Sequence, residues 1–432
     1  MSRIIPLLSI ILFVMDFMET KGGNKNSPII IEVHAPDSSV FATHAIQKAI
    51  DSCAVLGGGT VQLTEGIFLT KALTMRSHVH LYLDKNCLLQ GSDNYLDYKT
   101  GRRNEALISG YNLDNISITG EGTIDGVNCF NPGGEENFRG PHALRFNDSH
   151  NINIRGITII NSGNYAIFMQ RCSEINLENV TIRGGHDGLH VNYCSDITVS
   201  GCDFRTGDDA FAGNDNQRMK VTDTKINTAC HGFRIGCRDF TVKNCSIWGP
   251  AEYEHKISKR TNTISAFTHF SPQSRNPEIV SGNWIIKDVV IDNVDFLFHY
   301  NYQDGLWQTG KPMSSVRFEN ITATNLGKSF FIQGDKDGLF RLKIINSYLS
   351  SRQEPHVNEI IFEDVKINTP AFFNISHFHS AEIVNTTFQH IKSGPILKFV
   401  KGETATMESV RFLPPTNPKP YIFRNITNWL VR

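Results

Sequence analysis

From Ile152 onward the chain repeats one pattern: two apolar residues around a polar one, a corner of Asn, Gly or a charged residue, then a second short apolar pair. Five segments align as NINIRGITI (151–159), EINLENVTI (174–182), DITVSGCDF (196–204), RMKVTDTKI (218–226) and DFTVKNCSI (239–247). Their second residues, Ile152, Ile175, Ile197, Met219 and Phe240, are spaced by 23, 22, 22 and 21 positions. Alternation with a period of two marks strands with one buried face. A repeat near 22 residues is too short for TPR, ankyrin or WD40 units and fits one coil of a parallel β-helix. Leucine-rich repeats share the period, but they need a Leu ladder and usually a helical return, whereas these coils are β-branched with Gly and Asn corners.

Weaker copies extend the pattern both ways: HVHLYL (78–83) and NISITGEGTI (115–124) upstream, SVRFENITA (315–323), EIIFEDVKI (359–367) and SVRF (409–412) downstream. The pattern predicts an all-β protein, a single-stranded right-handed parallel β-helix (a solenoid) spanning nearly the whole mature chain. An open stack must cover its end strands against edge pairing. The stretch Ala42 to Ala54, with Ile46 and Ile50 at i and i+4, reads as a short N-terminal capping helix stopped by Gly57, Gly58 and Gly59.

In such a stack, equal offsets in consecutive coils lie above one another, about 4.8 Å apart. Twelve positions past each reference apolar residue stand Asn164, Asp187, Asp209, His231 and Glu252, a polar column, and Asp208 precedes Asp209. Three carboxylates and an imidazole thus fall within two coil rises, roughly 10 Å. Like charges so close cost stability, and structure alone does not ask for them. Glycosidic hydrolysis does, because one carboxylic acid protonates the leaving oxygen while another activates water. A solvated Asp/Asn ladder, a calcium site and a plain Asp187-Gly188 turn are the competing readings.

The charge balance, 42 Lys+Arg against 43 Asp+Glu over 432 residues, leaves no field to attract nucleic acid. The composition, 40% hydrophobic and 20% charged, is that of a soluble globular chain able to bury a long core. The apolar run Ile4 to Met15 after Arg3, with the polar spacer Lys21 to Ser27, reads as a signal peptide, so residues 1–26 are expected to be removed on export, to a secreted or periplasmic location, and 27–432 to form one catalytic domain. No membrane span is expected, and the protein is expected to be a monomer. Nine cysteines without a CxxC pair argue against zinc ribbons and a disulfide framework; Cys172 and Cys194 share an offset on adjacent coils, consistent with either a disulfide or a ladder of reduced thiols. His186 and His190 lie on a turn and strand, unlike the helical i, i+4 pair that binds zinc.

At HDG (186–188), GDDA (207–210) and the HG within CHGFRIG (230–236) the sequence resembles glycoside hydrolase family 28, the polygalacturonase and rhamnogalacturonan hydrolase family, with a pectin-lyase-like β-helix. The resemblance spans most of Ala45 to Gly249, including AIQKAIDSC, GGGTV (57–61) and GEGTIDG (120–126). It implies inverting hydrolysis of an α-linked, galacturonic-acid-containing pectic substrate, without metal or organic cofactor. Asp208 would be the general acid, Asp187 and Asp209 would hold and deprotonate water, and His231 would tune the acid. Such chemistry calls for roughly 6.5–9.5 Å between acid and base, which divergent rotamers on two coils would give. Two positions depart from the family pattern: His186-Asp187 replaces Asn-Thr-Asp, and the Arg-Ile-Lys motif that grips a galacturonate carboxylate has no clear counterpart.

The cations Lys256, Lys259 and Arg260 lie instead in YEHKISKRTNTISAFTHF (253–270), and Arg234 is placed to clamp a carboxylate. Substrate contacts are expected from Arg234, His186, His190, Asn164, Tyr165, Glu252, His255 and Lys256, His190 and His255 sharing the offset of Arg234. Of the aromatic residues beside the column, Tyr165 and Tyr253 are the better candidates for sugar stacking, and Phe211 and Phe233 for the core. A β-helix polysaccharide lyase would need a Lys or Arg base, and the acid column supplies none. A non-catalytic carbohydrate-binding β-helix is the other alternative. Loops 131–138 and 260–284 are the candidates to decide endo against exo action.

Overall fold

The computed structural model describes residues 28–432 except 38, 101–102, 105, 272–277, 303–310, 338, 353–370, 391–393 and 416–419. The N-terminal apolar run and the 359–367 copy of the repeat lie outside the described residues. The protein is all-β, and its main ladders are parallel. It divides into two compact units: one runs through Phe168 and includes Cys172–Thr181, the other comprises Met169–Arg171 and Ile182–Arg432.

In the first unit, helix α1 (Thr43–Val55) buries Ile46, Ala49, Ile50 and Cys53, the apolar stripe its spacing predicts, against β1 (Ile30–Val33) and β2 (Gly59–Leu63). Three glycines, Gly57, Gly58 and Gly59, with φ of 91, 124 and 157°, end it. From β2 each strand hydrogen-bonds the equivalent strand of the next coil: β3 (Val79–Leu83), β4 (Asp114–Gly120), β5 (His150–Arg155) and β6 (Ser173–Glu178). The register stacks Ile31, Val61, Leu81, Ile118, Ile154 and Leu177 into one buried column. The sequence alignment of Ile152 with Ile175 is the observed one.

The second unit continues the same logic. Val199, Val221, Val242, Ile286, Phe318, Ile344, Ile383 and Met407 pair in succession along its buried face. Ile197, Met219 and Phe240 align as the period predicts. A second buried column, Leu189, Phe211, Phe233, Phe267 and Phe298, holds near-parallel rings: Phe211 and Phe233 stack at 4.6 Å, Phe233 and Phe267 at 5.1 Å.

One left-handed residue recurs within each of these strands in both units. Asn115, Asn151 and Glu174 in the first, and Asp196, Arg218, Asp239 and Asn283 in the second, have φ between 51 and 61° and immediately precede the reference apolar residue. Short polar side chains tolerate this left-handed conformation better than β-branched ones do. All nine cysteines are buried free thiols, so Cys172 and Cys194 follow the reduced alternative. Among the described residues, no helix is long and apolar enough to cross a membrane.

Candidate active site

Three turns in the second unit precede adjacent strands. The register that puts Leu189 beside Phe211 and Phe211 beside Phe233 also stacks Asp187, Asp209 and His231. Backbone bonds carry this stacking into the turns: Gly188 N–H donates to the Asp209 carbonyl (2.9 Å) and Ala210 N–H to the His231 carbonyl (3.0 Å). The Asp208 carbonyl is held by the hydroxyls of Thr206 (2.7 Å) and Thr228 (2.5 Å), and Asp208 Oδ1 accepts the Asp209 N–H at 3.1 Å. One oxygen from each of Asp187, Asp208 and Asp209 lies within 4.8 Å of the others. Asp187 and Asp209 are 3% and 2% exposed; Asp208, at 14%, is the most open of the three.

Each acid faces its own nitrogen partner. His190 Nδ1 lies 2.8 Å from Asp187 Oδ2, Arg234 Nε donates to Asp209 Oδ2, and His255 Nε2 lies 3.7 Å from Asp208 Oδ1. The backbone N–H of Ser258 donates to His255 Nδ1 at 3.1 Å, so the proton of a neutral imidazole sits on Nε2, facing Asp208. Burial opposes the charge on Arg234, but the carboxylates of Asp209, Asp187 and Asp208 outweigh it and hold the guanidinium pKa above its ordinary value. The Arg234 guanidinium also lies 4.2 Å over the Phe270 ring.

His231 serves the cluster through its backbone, whose N–H donates to Asp209 Oδ1 at 3.2 Å. Its Nδ1 is bonded to the hydroxyls of Ser265 (2.8 Å) and Thr268 (3.1 Å). Burial first, and the Arg234 charge next, push the His231 pKa well below the usual histidine value, so the ring is neutral. Three carboxylate oxygens this close make a place where a cation can sit. Arg234 already supplies a positive charge to Asp209, however, so the cluster does not require one. Asp209, Cys230 and His231 also converge; burial and the neighbouring Asp209 and Asp208 raise the Cys230 thiol well above its ordinary value, and its Sγ accepts from Arg260 Nη2 at 3.0 Å.

The profile of glycosyl hydrolases family 28 matches residues 58–387. The chain belongs to this family. The family 28 chain is 28% identical over 253 residues to an exopolygalacturonase of Platanus acerifolia, covering 52% of this chain and 64% of that protein. It is 23% identical over 373 residues to an endo-polygalacturonase of Pectobacterium parmentieri, covering 74% and 89%. Among solved structures, the family 28 exopolygalacturonase of Yersinia enterocolitica superposes with a TM-score of 0.57 at 15% identity, over 93% of this chain and 78% of that one. The exopolygalacturonase of Thermotoga maritima gives 0.55 at 16% identity, over 94% and 95%. At these identities the two structures speak for the fold.

Within this family 28 site, several sequence expectations are corrected. Glu252 is not in the column: below His231 the register places Ser265, because the chain leaves the coil after Trp248 and returns only at Thr263. Glu252 lies on that excursion, exposed and paired with Arg205. His255 likewise does not share the offset of Arg234, where Thr268 stands, yet the excursion delivers it to Asp208 from the other side. The stem of Lys256 crosses Gly185, where an added Cβ would lie 2.2 Å from its Cε; Lys259 pairs with Glu254 at 3.0 Å; Arg260 donates to the Ala229 carbonyl at 2.9 Å. Arg234 engages Asp209, so a cation does border the acid column. The expected divergence of rotamers is absent as well. The nearest oxygens of Asp187, Asp208 and Asp209 lie within 4.8 Å of one another, short of the roughly 6.5–9.5 Å expected of a separated acid and base.

His186 is buried beside Asp187. Phe211 and Phe233 are core, and Tyr253 is half-buried on the excursion. Asn164 and Tyr165 belong to the first unit, where Asn164 Oδ1 accepts from Arg139 Nη1 at 3.3 Å and the Tyr165 ring lies 5.0 Å from His142. Ser265, Thr268 and Phe270 escaped the sequence reading. No constant offset finds them, because nine positions separate His231 from Phe240 whereas nineteen separate their register partners Ser265 and Trp284.

Proposed function

We propose that this enzyme hydrolyses an α-linked, galacturonic-acid-containing pectic polysaccharide or oligosaccharide with inversion, from one catalytic domain over 27–432 built as a right-handed, single-stranded β-helix. The convergence of Asp187, Asp208 and Asp209 within 4.8 Å carries the reading. A water 2.7–2.8 Å from each of two oxygens spans up to about 5.5 Å, so Asp187 and Asp209 are close enough to share one. Asp208, the most open of the three, is the general acid for the glycosidic oxygen, and Asp187 with Asp209 orients and deprotonates the water. Neutral His231 acts by anchoring Asp209. The relatives named polygalacturonases support the substrate class, and Lys256, His186 and His190 are the side chains we expect to meet it. A lyase using Arg234 as base is disfavoured, because the raised pKa keeps that guanidinium protonated. A polymeric substrate fits an exported monomer.

The test is Asp208→Asn, assayed on defined pectic oligosaccharides with NMR of the fresh product anomer. Removing an acid used in the transition state lowers turnover about 10²–10⁴-fold without unfolding the chain. A loss below tenfold would remove Asp208 from the role, and a product of retained configuration would overturn inversion.

A further inference from the structure

The hydrolytic scheme leaves Arg234 without a task, although it is the cation most deeply tied to the acids. It leaves the strand His231–Lys243 at the register position of Ala212 and, one coil earlier, His190. Its side chain is 12% exposed and fixed on two sides, by the Phe270 ring under the guanidinium and by the Asp209 carboxylate at Nε. Asp209 is in turn held at both oxygens, Oδ1 by the His231 backbone N–H and Oδ2 by Arg234. Asp187 is held by His190. The two acids proposed to share a water are therefore braced from the strands that follow them, while Asp208 has His255 Nε2 at the longer distance of 3.7 Å.

We infer that Arg234 is a positioning residue: it fixes the Asp209 carboxylate facing Asp187 and supplies the charge that lets three acids converge, instead of clamping a carboxylate of the substrate. The inference rests on the hydrolytic reading above. An Nε engaged with Asp209 removes the side-on Nε–Nη edge from any bidentate grip on a substrate uronate, and the Phe270 ring against the guanidinium face fixes the plane in which the Nη donors point. A guanidinium bonded through Nε is also not interchangeable with an ammonium, since only the former aims a rigid donor while its plane rests on a ring.

The full-length protein, Arg234→Lys and Arg234→Gln are compared in steady-state kinetics on a defined oligogalacturonide. The expected result is a kcat about 10²-fold lower in Arg234→Gln, the scale of a misplaced catalytic group, with KM within about threefold of the parent. Arg234→Lys restores the charge and recovers part of that loss. A raised KM with kcat unchanged would make Arg234 a substrate clamp and overturn the inference, as would equal losses in the two variants. Should Arg234→Gln fail to fold, the same split is read from Arg234→Lys alone. A parent without turnover on any pectic oligosaccharide would sink the hydrolytic reading, and positioning is then judged independently from the carboxyl ¹³C resonance of Asp209. That resonance is expected to move in Arg234→Lys, and an unmoved one overturns the inference.

Discussion

Gly207→Ala isolates the contribution of the 249–262 excursion. Gly207 lies in the turn that presents Asp208 and Asp209, and a Cβ built on it would stand 2.3 Å from the Glu254 carbonyl oxygen, 2.8 Å from the Gly185 carbonyl oxygen and 2.9 Å from Gly185 Cα. Real Cβ contacts essentially never fall under 3.0 Å, so the Glu254 backbone must retreat by at least 0.7 Å, the difference between 3.0 and 2.3 Å. All three atoms are backbone, and no side chain can swing aside to relieve them. The segment that gives way carries exposed Glu252, Glu254, Ile257, Ser258 and Lys259, whereas the turn is held by Gly207 N–H to the Gly184 carbonyl at 2.9 Å. The excursion therefore moves, taking His255 from Asp208 and Lys256 from Gly185. Overpacking of this kind costs about 1–3 kcal/mol. A displacement approaching an ångström at catalytic groups costs about 10²-fold in rate. The expected outcome is a kcat/KM on pectic oligosaccharides about two orders of magnitude lower, a modest fall in the unfolding midpoint, and faster amide exchange confined to 250–262. Gly133→Ala, where an added Cβ meets nothing nearer than Asn131 Oδ1 at 3.7 Å, is the control. Activity within threefold of the parent, with exchange unchanged, would refute the claim that the excursion completes the site.

Two further substitutions test the core and the acid sensitivity. Phe233 is fully buried between Phe211 and Phe267, so Phe233→Ala removes two stacked pairs along with the cavity term and destabilises by about 4–5 kcal/mol in denaturant titration; a value under about 2 would mean that the ring column does not hold the coils together. His142, stacked on Phe168, has its pKa lowered from 6.5 to about 3 by burial and then by Arg145 and Arg139. Below pH 6.5 the unfolded chain takes up a proton that the folded one refuses until about pH 3, so this residue subtracts stability as pH falls through that window and contributes nothing above it. His142→Phe should therefore lose about 2 kcal/mol less than the parent between pH 7 and pH 5, and equal losses would show that the ring is charged in the fold.

What was legible in the sequence follows from where chain length is conserved between coils. Apolar alternation is a local property, written residue by residue, and the spacing of Ile152, Ile197 and Met219 carried the coil period without any contact being known. The stacking of Asp187, Asp209 and His231 followed because the coils on either side of Asp209 hold equal numbers of residues, so a sequence offset is a distance in space. The inference failed where that equality fails. Phe240 pairs with Trp284, twice the usual period away, so one coil carries a full period of additional chain, and an offset counted into it named Glu252 where the fold places Ser265.

The same excursion explains why His255 was singled out for a reason that does not hold and is nevertheless at the site: its register position was wrong, but a loop free of the ladder can approach the acids from outside it. Arg234 shows the other limit. Its offset put it within reach of both Asp209 and any substrate lying on the acids, and a position in a ladder does not say which way a long side chain turns. That choice is made by Phe270, which follows the strand Thr263–His269 and reaches the column only because the excursion returns the chain at that point. The insertion that broke the counting thus also appears in the bracing of the acids, and a family 28 chain without it would have to hold Asp209 in some other way.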